Sequence, residues 1–469
     1  MTGPSFTWTD RAVQEALGLR HHDASDVEFS GVSTDSRTTR EGELYVALVG
    51  ERFDGHDFVA DAVAAGARGA VVSRQVTEAG RVTMYAVDDT LEALGALAGH
   101  RRRALPARVV GITGSVGKTT TKDLAAAALA SSLRVHVTRG NYNNRIGLPL
   151  TLLAAPVDSQ VVVAEMGTNE PGEIAMLAAI AEPDVAVVTT IGESHLEKLG
   201  SIEGVLREKL DLLRGLAPFG RAVVGDVPPE LPKEARRVVP GVRVAGWGED
   251  ADADLRPEQI EVDHWGHYGF AWRGSRVSLG IPGRHVVTDA LLALAVAEAE
   301  GVEPRDAASG ISTVRPGGMR GEVRRVGDLT LLMDCYNANP PSVRAALDLL
   351  EAHGDAARRV AILGSMLELG PRTAQLHRDV LADALGRGFD LVVATGEFAR
   401  AARDLDAANR SDVVVHDDPE AAYALSRERL EGSETILLKA SRGVALERLE
   451  SRFREDFGDV APEGGRAAG

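Results

Sequence analysis

The chain has 469 residues, with 52 Lys and Arg against 69 Asp and Glu, a net charge of −17, one Cys, and only 4 Trp, 6 Tyr and 10 Phe. Apolar residues make up 44% and charged residues 26%, the balance of a folded globular protein rather than a disordered one. So acidic a chain is a poor general binder of nucleic acid or anionic membrane, because such surfaces must neutralise phosphate. Few aromatics leave little for a base-stacking platform.

At about 150 residues per domain, the length predicts about three domains, each able to bury a core. One cysteine forms no internal disulfide and excludes zinc ribbons and CxxC chemistry, which suits a reducing cytosol. The start, MTGPSFTWTDRAV, carries acid and hydroxyl residues where a signal peptide has a basic start and an apolar run. No stretch approaches ~20 apolar residues, and the best is cut by Glu298. A soluble cytoplasmic protein is expected.

In chain order, Thr9-Asp10 can cap a short helix that Gly18 ends. His21-His22 reads as a solvated loop. A strand-like segment then leads to the polar Thr34-Asp35-Ser36-Arg37. An apolar strand at 44–49, a turn at 53–57, a helix at 58–66 and a strand at 69–72 complete a small α/β unit, residues 1–82. Arg101-Arg102-Arg103 before Pro106 reads as a solvated linker. The central unit, 83–314, alternates strands at 109–113, 161–164, 185–189 and 222–224 with helices at 118–130, 174–181 and 202–213. That alternation predicts right-handed βαβ units and a parallel sheet. Residues 243–280 read as antiparallel additions, and a long Ala/Leu helix follows at 288–300. After Arg315-Pro316-Gly317-Gly318 the alternation restarts, with strands at 329–333, 360–363, 391–394, 413–416 and 436–438 in a unit spanning 315–459. Residues 460–469 read as a disordered tail. The fold class is therefore α/β, with a central parallel-sheet P-loop domain between a small N-terminal α/β domain and a C-terminal Rossmann-like domain.

A phosphate loop needs a strand before it and a helix after it. Gly111-Ile112-Thr113-Gly114-Ser115-Val116-Gly117-Lys118-Thr119-Thr120 has both, although Ile112 stands where the strict spacing wants glycine. Amides at the helix start can surround phosphate oxygens, Lys118 adds a point charge, and Thr119 can ligate magnesium. Gly114 to Thr120 are thus the candidate triphosphate site. Open α/β sheets bind ligands at the carboxyl ends of their strands. Glu165 and His195 lie at two such ends, so they are candidates for magnesium or manganese as well as for ordinary loop residues.

Four segments, TGSVGKTT, AEMGTNEPGEI, IGESHLEKLGS and DCYNANPPS, resemble in order the motifs of the Mur ligases of peptidoglycan synthesis. STDSR followed by ELYVALVGERFDGHDF is similar to that family's uridine-nucleotide-binding domain, and ILGSMLELG, HRDV and LLKASRG complete the pattern. The resemblance covers nearly the whole chain. It implies activation of a peptide carboxylate by ATP and displacement of phosphate by an amine, with UDP-N-acetylmuramoyl-tripeptide and D-alanyl-D-alanine as substrates. A monomer with no nucleic-acid partner is expected.

By the same resemblance, Lys118 and the loop amides hold ATP, and Thr119, Glu165 and His195 serve the metal ions. Lys209, by itself an ordinary exposed helix lysine, matches the family lysine that carbon dioxide carbamoylates into a metal ligand. Arg320 matches an arginine that reaches the ATP phosphates from the third domain. Asp334, Asn337 and Asn339 match a motif near the nucleotide, although they also suit an Asx-rich turn before Pro340-Pro341. Ser36 and Arg37 would contact the uridine nucleotide. Lys439, Ser441 and Arg442 match a KGSR motif, with Ala440 replacing glycine, for dipeptide binding or domain closure. At least one of Asn141, Asn143 and Asn144 is expected near the phosphate site. Cys335 reads as a small buried apolar residue.

The chain departs from the family at His285-Val286-Val287-Thr288-Asp289-Ala290, where relatives commonly carry HNxxNA with asparagines near adenine. Two enzyme alternatives stay open. The ligase adding the third amino acid would carry a DNPR-type motif, and none is evident; the other is a phosphate-loop kinase or switch GTPase, of which a GTPase would carry NKxD, also not evident. A nucleotide-binding scaffold without activity is a third, against which the intact Lys118, Thr119, Glu165, His195 and Lys209 speak.

Overall fold

The computed structural model describes residues 6–19, 25–76, 82–248, 252–352 and 358–458. His21-His22 and the tail from 460 lie outside the described residues. Three sheets organise the chain. The first orders Val32–Ser33, Leu44–Val46, Gly69–Val72 and Thr83–Ala86 side by side, all parallel. Its fourth strand lies just past residue 82, so the expected boundary there falls between two paired strands.

The central sheet has six parallel strands, in the order Arg243–Ala245, Arg221–Gly225, Val185–Val188, Arg108–Thr113, Val161–Glu165 and Val135–Val137. The chain leaves Arg108–Thr113 toward one side and later returns to build the other. That is the switch point where open α/β sheets leave a crevice, and the phosphate loop stands at it. Of the region read as antiparallel, Arg243–Ala245 joins this parallel sheet instead. Only Glu258–Val262, Tyr268–Trp272 and Ser275–Ser278 form an antiparallel sheet. The long helix His285–Ala299 is apolar almost all round and is buried against the Lys118–Ala130 helix and the central strands Arg221–Gly225 and Val185–Val188.

The third sheet is ordered Glu322–Val326, Leu329–Asp334, Thr435–Lys439, Arg359–Leu363, Leu391–Ala394 and Val413–Val415, parallel except for its first strand. Among the described residues no helix is long and apolar enough to cross a membrane.

The reading of Arg101 to Arg103 as a solvated linker is overturned. They form the last turn of the helix Thr90–Ala104. Arg101 is 1% exposed and donates to the Ala155 carbonyl at 2.7 Å. Arg102 donates to the Ala181 and Glu182 carbonyls at 2.8 and 3.0 Å and pairs with Asp184 at 2.9 Å. Arginines here satisfy carbonyls at the ends of other elements, which no local pattern reveals. The same helix buries Ala93, Leu94 and Leu97 in the first domain's core and Ala98 in the central one, so the two domains share it.

Candidate active site

The phosphate loop is shaped by two glycines in conformations that other residues resist. Gly114 has φ +148° and Gly117 φ +86°; a Cβ on them would sit 1.9 Å from Thr189 Oγ1 and 2.3 Å from Asp289 Oδ1. The loop is tied to the end of the neighbouring strand. The Ser115 amide donates to the Thr190 carbonyl at 2.8 Å, the Val116 amide to Thr190 Oγ1 at 3.3 Å, and Ser194 Oγ to Ser115 Oγ at 2.9 Å. Ser115 and Val116 therefore spend their amides on the scaffold. The donors left for an anion are the orphan amides of the helix start, from Gly117 to Thr120.

Lys118 Nζ folds back onto the carbonyls of Gly114 and Ser115 at 2.6 and 3.2 Å. Burial lowers its pKa to about 8; Glu165 opposes this and Arg320 adds to it. The Arg320 guanidinium, from the third domain, lies 4.1 Å over the Tyr336 ring and is close enough for its charge to act on Lys118.

Glu165 ends its strand only 2% exposed. Its amide donates to Thr138 Oγ1 at 3.1 Å, while its two carboxylate oxygens accept from Thr119 Oγ1 at 2.8 Å and Asn143 Nδ2 at 2.7 Å. Asn143 is thus the asparagine of its loop that reaches the site. Asn144 instead accepts from the amides of Ile146 and Gly147 and holds the turn that leads into the next helix. The Thr119 hydroxyl and Glu165 carboxylate are hard oxygen donors beside a phosphate loop, a set that fits magnesium held largely by substrate phosphates and water. Among the described residues no three His, Cys, Asp or Glu gather as a self-sufficient metal cage.

Lys209 is fully buried, and its Nζ has no hydrogen-bond partner. Burial first, then Lys118, lowers its pKa well below the usual lysine value, against the pull of Glu208, Glu173 and Glu165. It is no exposed helix lysine: burial disfavours its charged form beside Lys118 and Glu165. His195, in a left-handed conformation (φ 51°), pairs with Glu368 of the third domain at 2.6 Å.

The third domain's motifs converge at the carboxyl ends of its central strands. Lys439 is buried and bridges Asp334 at 2.8 Å and the Asn337 carbonyl at 2.6 Å. Asn339 Oδ1 accepts from the Ser342 amide at 3.0 Å and starts the following helix. Ser441 Oγ accepts from the Leu367 amide at 3.0 Å, while the exposed Arg442 pairs with Glu447 at 3.0 Å. Cys335 is buried, and burial pushes its thiol up to about 12, as an inert residue requires. Ser36 and Arg37 stand in a turn beyond the first sheet, where Asp35 accepts from Arg37 Nε at 2.9 Å and holds its side chain.

Three family models match this chain: the Mur ligase middle domain over residues 112–297, the glutamate ligase domain over 319–442, and the family's catalytic domain over 28–102. UDP-N-acetylmuramoyl-tripeptide–D-alanyl-D-alanine ligase of Bacillus subtilis is 37% identical over 426 residues, 89% of this chain and 92% of that protein. The chain belongs to the Mur ligase family. The Escherichia coli ligase of the same name is 33% identical, covering 92% of this chain and 95% of its own. A crystal structure of MurF from Acinetobacter baumannii superposes with a TM-score of 0.87 at 32% identity, covering 96% of this chain and 100% of that one. MurF ligase from Thermotoga maritima, solved with ADP, gives 0.78 at 28% identity, covering 91% and 97%.

Within this Mur ligase, Val286 is a core residue and Asp289 is 3% exposed. Asp289 Oδ1 accepts from Thr121 Oγ1 at 3.1 Å, and Oδ2 has no partner. Burial raises its pKa to about 8, against the Thr121 hydrogen bond. Burial thus favours the neutral acid, a form that can donate as well as accept. Sequence reasoning missed Thr138, Thr190 and Glu368. The first two are small hydroxyl residues at strand ends, and the third lies within the motif ILGSMLELG, which does not say what its glutamate meets.

Proposed function

We propose that the chain is an ATP-dependent ligase joining D-alanyl-D-alanine to UDP-N-acetylmuramoyl-tripeptide, giving the pentapeptide precursor of peptidoglycan. The observation that carries the reading is the identity with ligases of this one specificity along about nine-tenths of the chain. The site supports the chemistry. A peptide carboxylate is a poor electrophile, so its oxygen first attacks the γ-phosphorus of ATP; ADP leaves and an acyl phosphate forms. The dipeptide amine then attacks the acyl carbon, phosphate departs with the C–O bond electrons, and the amine loses a proton as the amide forms.

Phosphoryl transfer depends chiefly on positioning and charge neutralisation. Lys118 and the Gly117 to Thr120 amides bind the phosphates, and Arg320 adds positive charge from the third domain. Thr119 and Glu165, with His195, would hold magnesium, which when bound neutralises phosphate charge. Lys209 is read as the carbamoylated ligand: its neutral amine adds to carbon dioxide and releases a proton, turning an orphaned amine into an anion. Asp334, Asn337 and Asn339 form the third domain's face toward the nucleotide. Lys439 and Ser441 brace that face, and Arg442 is the exposed cation for the dipeptide or for closure. Ser36 and Arg37 contact the uridine nucleotide. The domain assignment follows: residues 1–82, extended by the strand Thr83–Ala86, bind the UDP-sugar, the central domain binds ATP, and 315–459 closes the site.

One assay tests this. Purified protein with ATP, magnesium and the muramoyl tripeptide should release phosphate in step with amide product only when D-alanyl-D-alanine is added. In carbon-dioxide-free buffer turnover should fall, and bicarbonate should restore it. Phosphate release indifferent to the dipeptide, without amide, would overturn the substrate reading; turnover indifferent to bicarbonate would overturn the carbamate.

A further inference from the structure

The loop after Val185–Val188 is where the central domain meets the third. His195 Nδ1 lies 2.6 Å from Glu368 Oε2. The Glu197 amide donates to the Glu368 carbonyl at 3.3 Å, so side chain and backbone of the same glutamate are both engaged. Gly370 (φ +56°) lies so close that a Cβ would approach Glu197 Cα to 2.9 Å, and Pro341 packs as tightly on Gly192. His195 and Glu368 both adopt left-handed backbone, at φ 51° and 63°, a conformation that non-glycine residues keep only where surrounding structure holds them. The His195 ring holds the Glu368 carboxyl below the usual range.

An imidazole whose Nδ1 faces a carboxylate carries its proton there and presents the Nε2 lone pair on the opposite edge. Carboxylate partners of metal-binding histidines act in this way, fixing tautomer and ring direction. What is unusual here is that the carboxylate comes from another domain. The pair exists only while the third domain is docked. We infer that Glu368 is a positioning residue that orients His195, so that the divalent-cation site is complete only in the docked arrangement. This rests on the reading of His195 as a metal ligand. By linkage, a cation held more tightly in the docked arrangement favours docking by the same factor. The ion pair thereby couples metal loading to closure of the third domain.

The test is Mn2+ affinity in the presence of ADP, read from the electron paramagnetic resonance signal of free Mn2+, for the full chain and three variants. Glu368→Gln should weaken Mn2+ binding about tenfold, with the melting temperature of the cation-free protein unchanged. His195→Ala should weaken it too, and Glu368→Gln should add nothing in that background. Two results overturn the inference while leaving the ligand reading intact: wild-type affinity in Glu368→Gln alone, or an undiminished Glu368→Gln effect in the His195→Ala background. Unchanged affinity in His195→Ala alone would remove the ligand reading, and the inference with it.

Discussion

Asp289 has lost nearly every reason to ionise. It is buried with one hydroxyl partner and one orphaned oxygen, and its pKa rises from 3.8 to about 8. Between those two values the folded chain keeps a proton that the unfolded chain releases. Stability therefore falls as pH rises from about 4 to 8, by about 1.4 kcal/mol per unit from this group. Asp289→Asn supplies a neutral donor and acceptor of the same shape. Its melting temperature relative to wild type should climb steadily from pH 5 to pH 8; a difference constant across that range would rule out the buried acid. Residues of this kind separate what was legible from what was not. Lys118 and Thr119 could be read directly because the loop motif that holds them is compact along the chain, and Lys118 meets the carbonyls of Gly114 and Ser115 within it. Asp289 meets Thr121 across 168 positions, and Glu368 meets His195 across a domain junction, so no local pattern announces either pair.

At the scale of elements, helices and wholly apolar strands were legible, and the two edge strands of the central sheet were not. The helix Lys118–Ala130 and the strand Leu391–Ala394 stand where the pattern puts them. The strands Val135–Val137 and Arg243–Ala245 have three residues each, too few for periodicity to speak, and only sheet pairing defines them. The turn between Arg108–Thr113 and Lys118–Ala130 depends on close approach. Gly114→Ala would add a Cβ 1.9 Å from Thr189 Oγ1 at φ +148°, and should cost at least about 2 kcal/mol. Gly140→Ala, at φ +54° with nothing within 4 Å, meets backbone strain alone and should cost about 1 kcal/mol. Denaturant midpoints of the two variants measure the difference, and equal costs would dismiss the packing argument.

The whole molecule is held together by elements that cross its domain junctions. Thr90–Ala104 belongs to two cores, and Arg102 at its end satisfies two carbonyls and Asp184 of the central domain. Arg102→Ala leaves the part-buried Asp184 without its cation and should cost about 3 kcal/mol, seen in calorimetry as a first domain that melts before the rest. Coincident melting in the variant would show that apolar packing alone joins the domains. On the other side, the His195 loop meets Glu368 and Gly370, and Leu196 and Leu199 share an apolar cluster with Met366 and Leu369 of the third domain.

Sequence by itself determined the α/β class, three parallel-sheet units, the phosphate loop and the family, because those depend on periodicity and on motifs compact along the chain. The net charge of −17 does not bar an anionic ligand, because a few local donors at a helix start suffice to hold one. Only the tertiary structure decided that Arg101 and Arg102 are a weld rather than a linker, that Lys209 is a buried unpartnered amine, that Asp289 is buried with one oxygen unpartnered, and that Glu368 reaches His195. Each of those depends on burial and on partners distant in sequence. Desolvation and pairing energy are properties of the assembled fold, and an unfolded string of residues does not carry them.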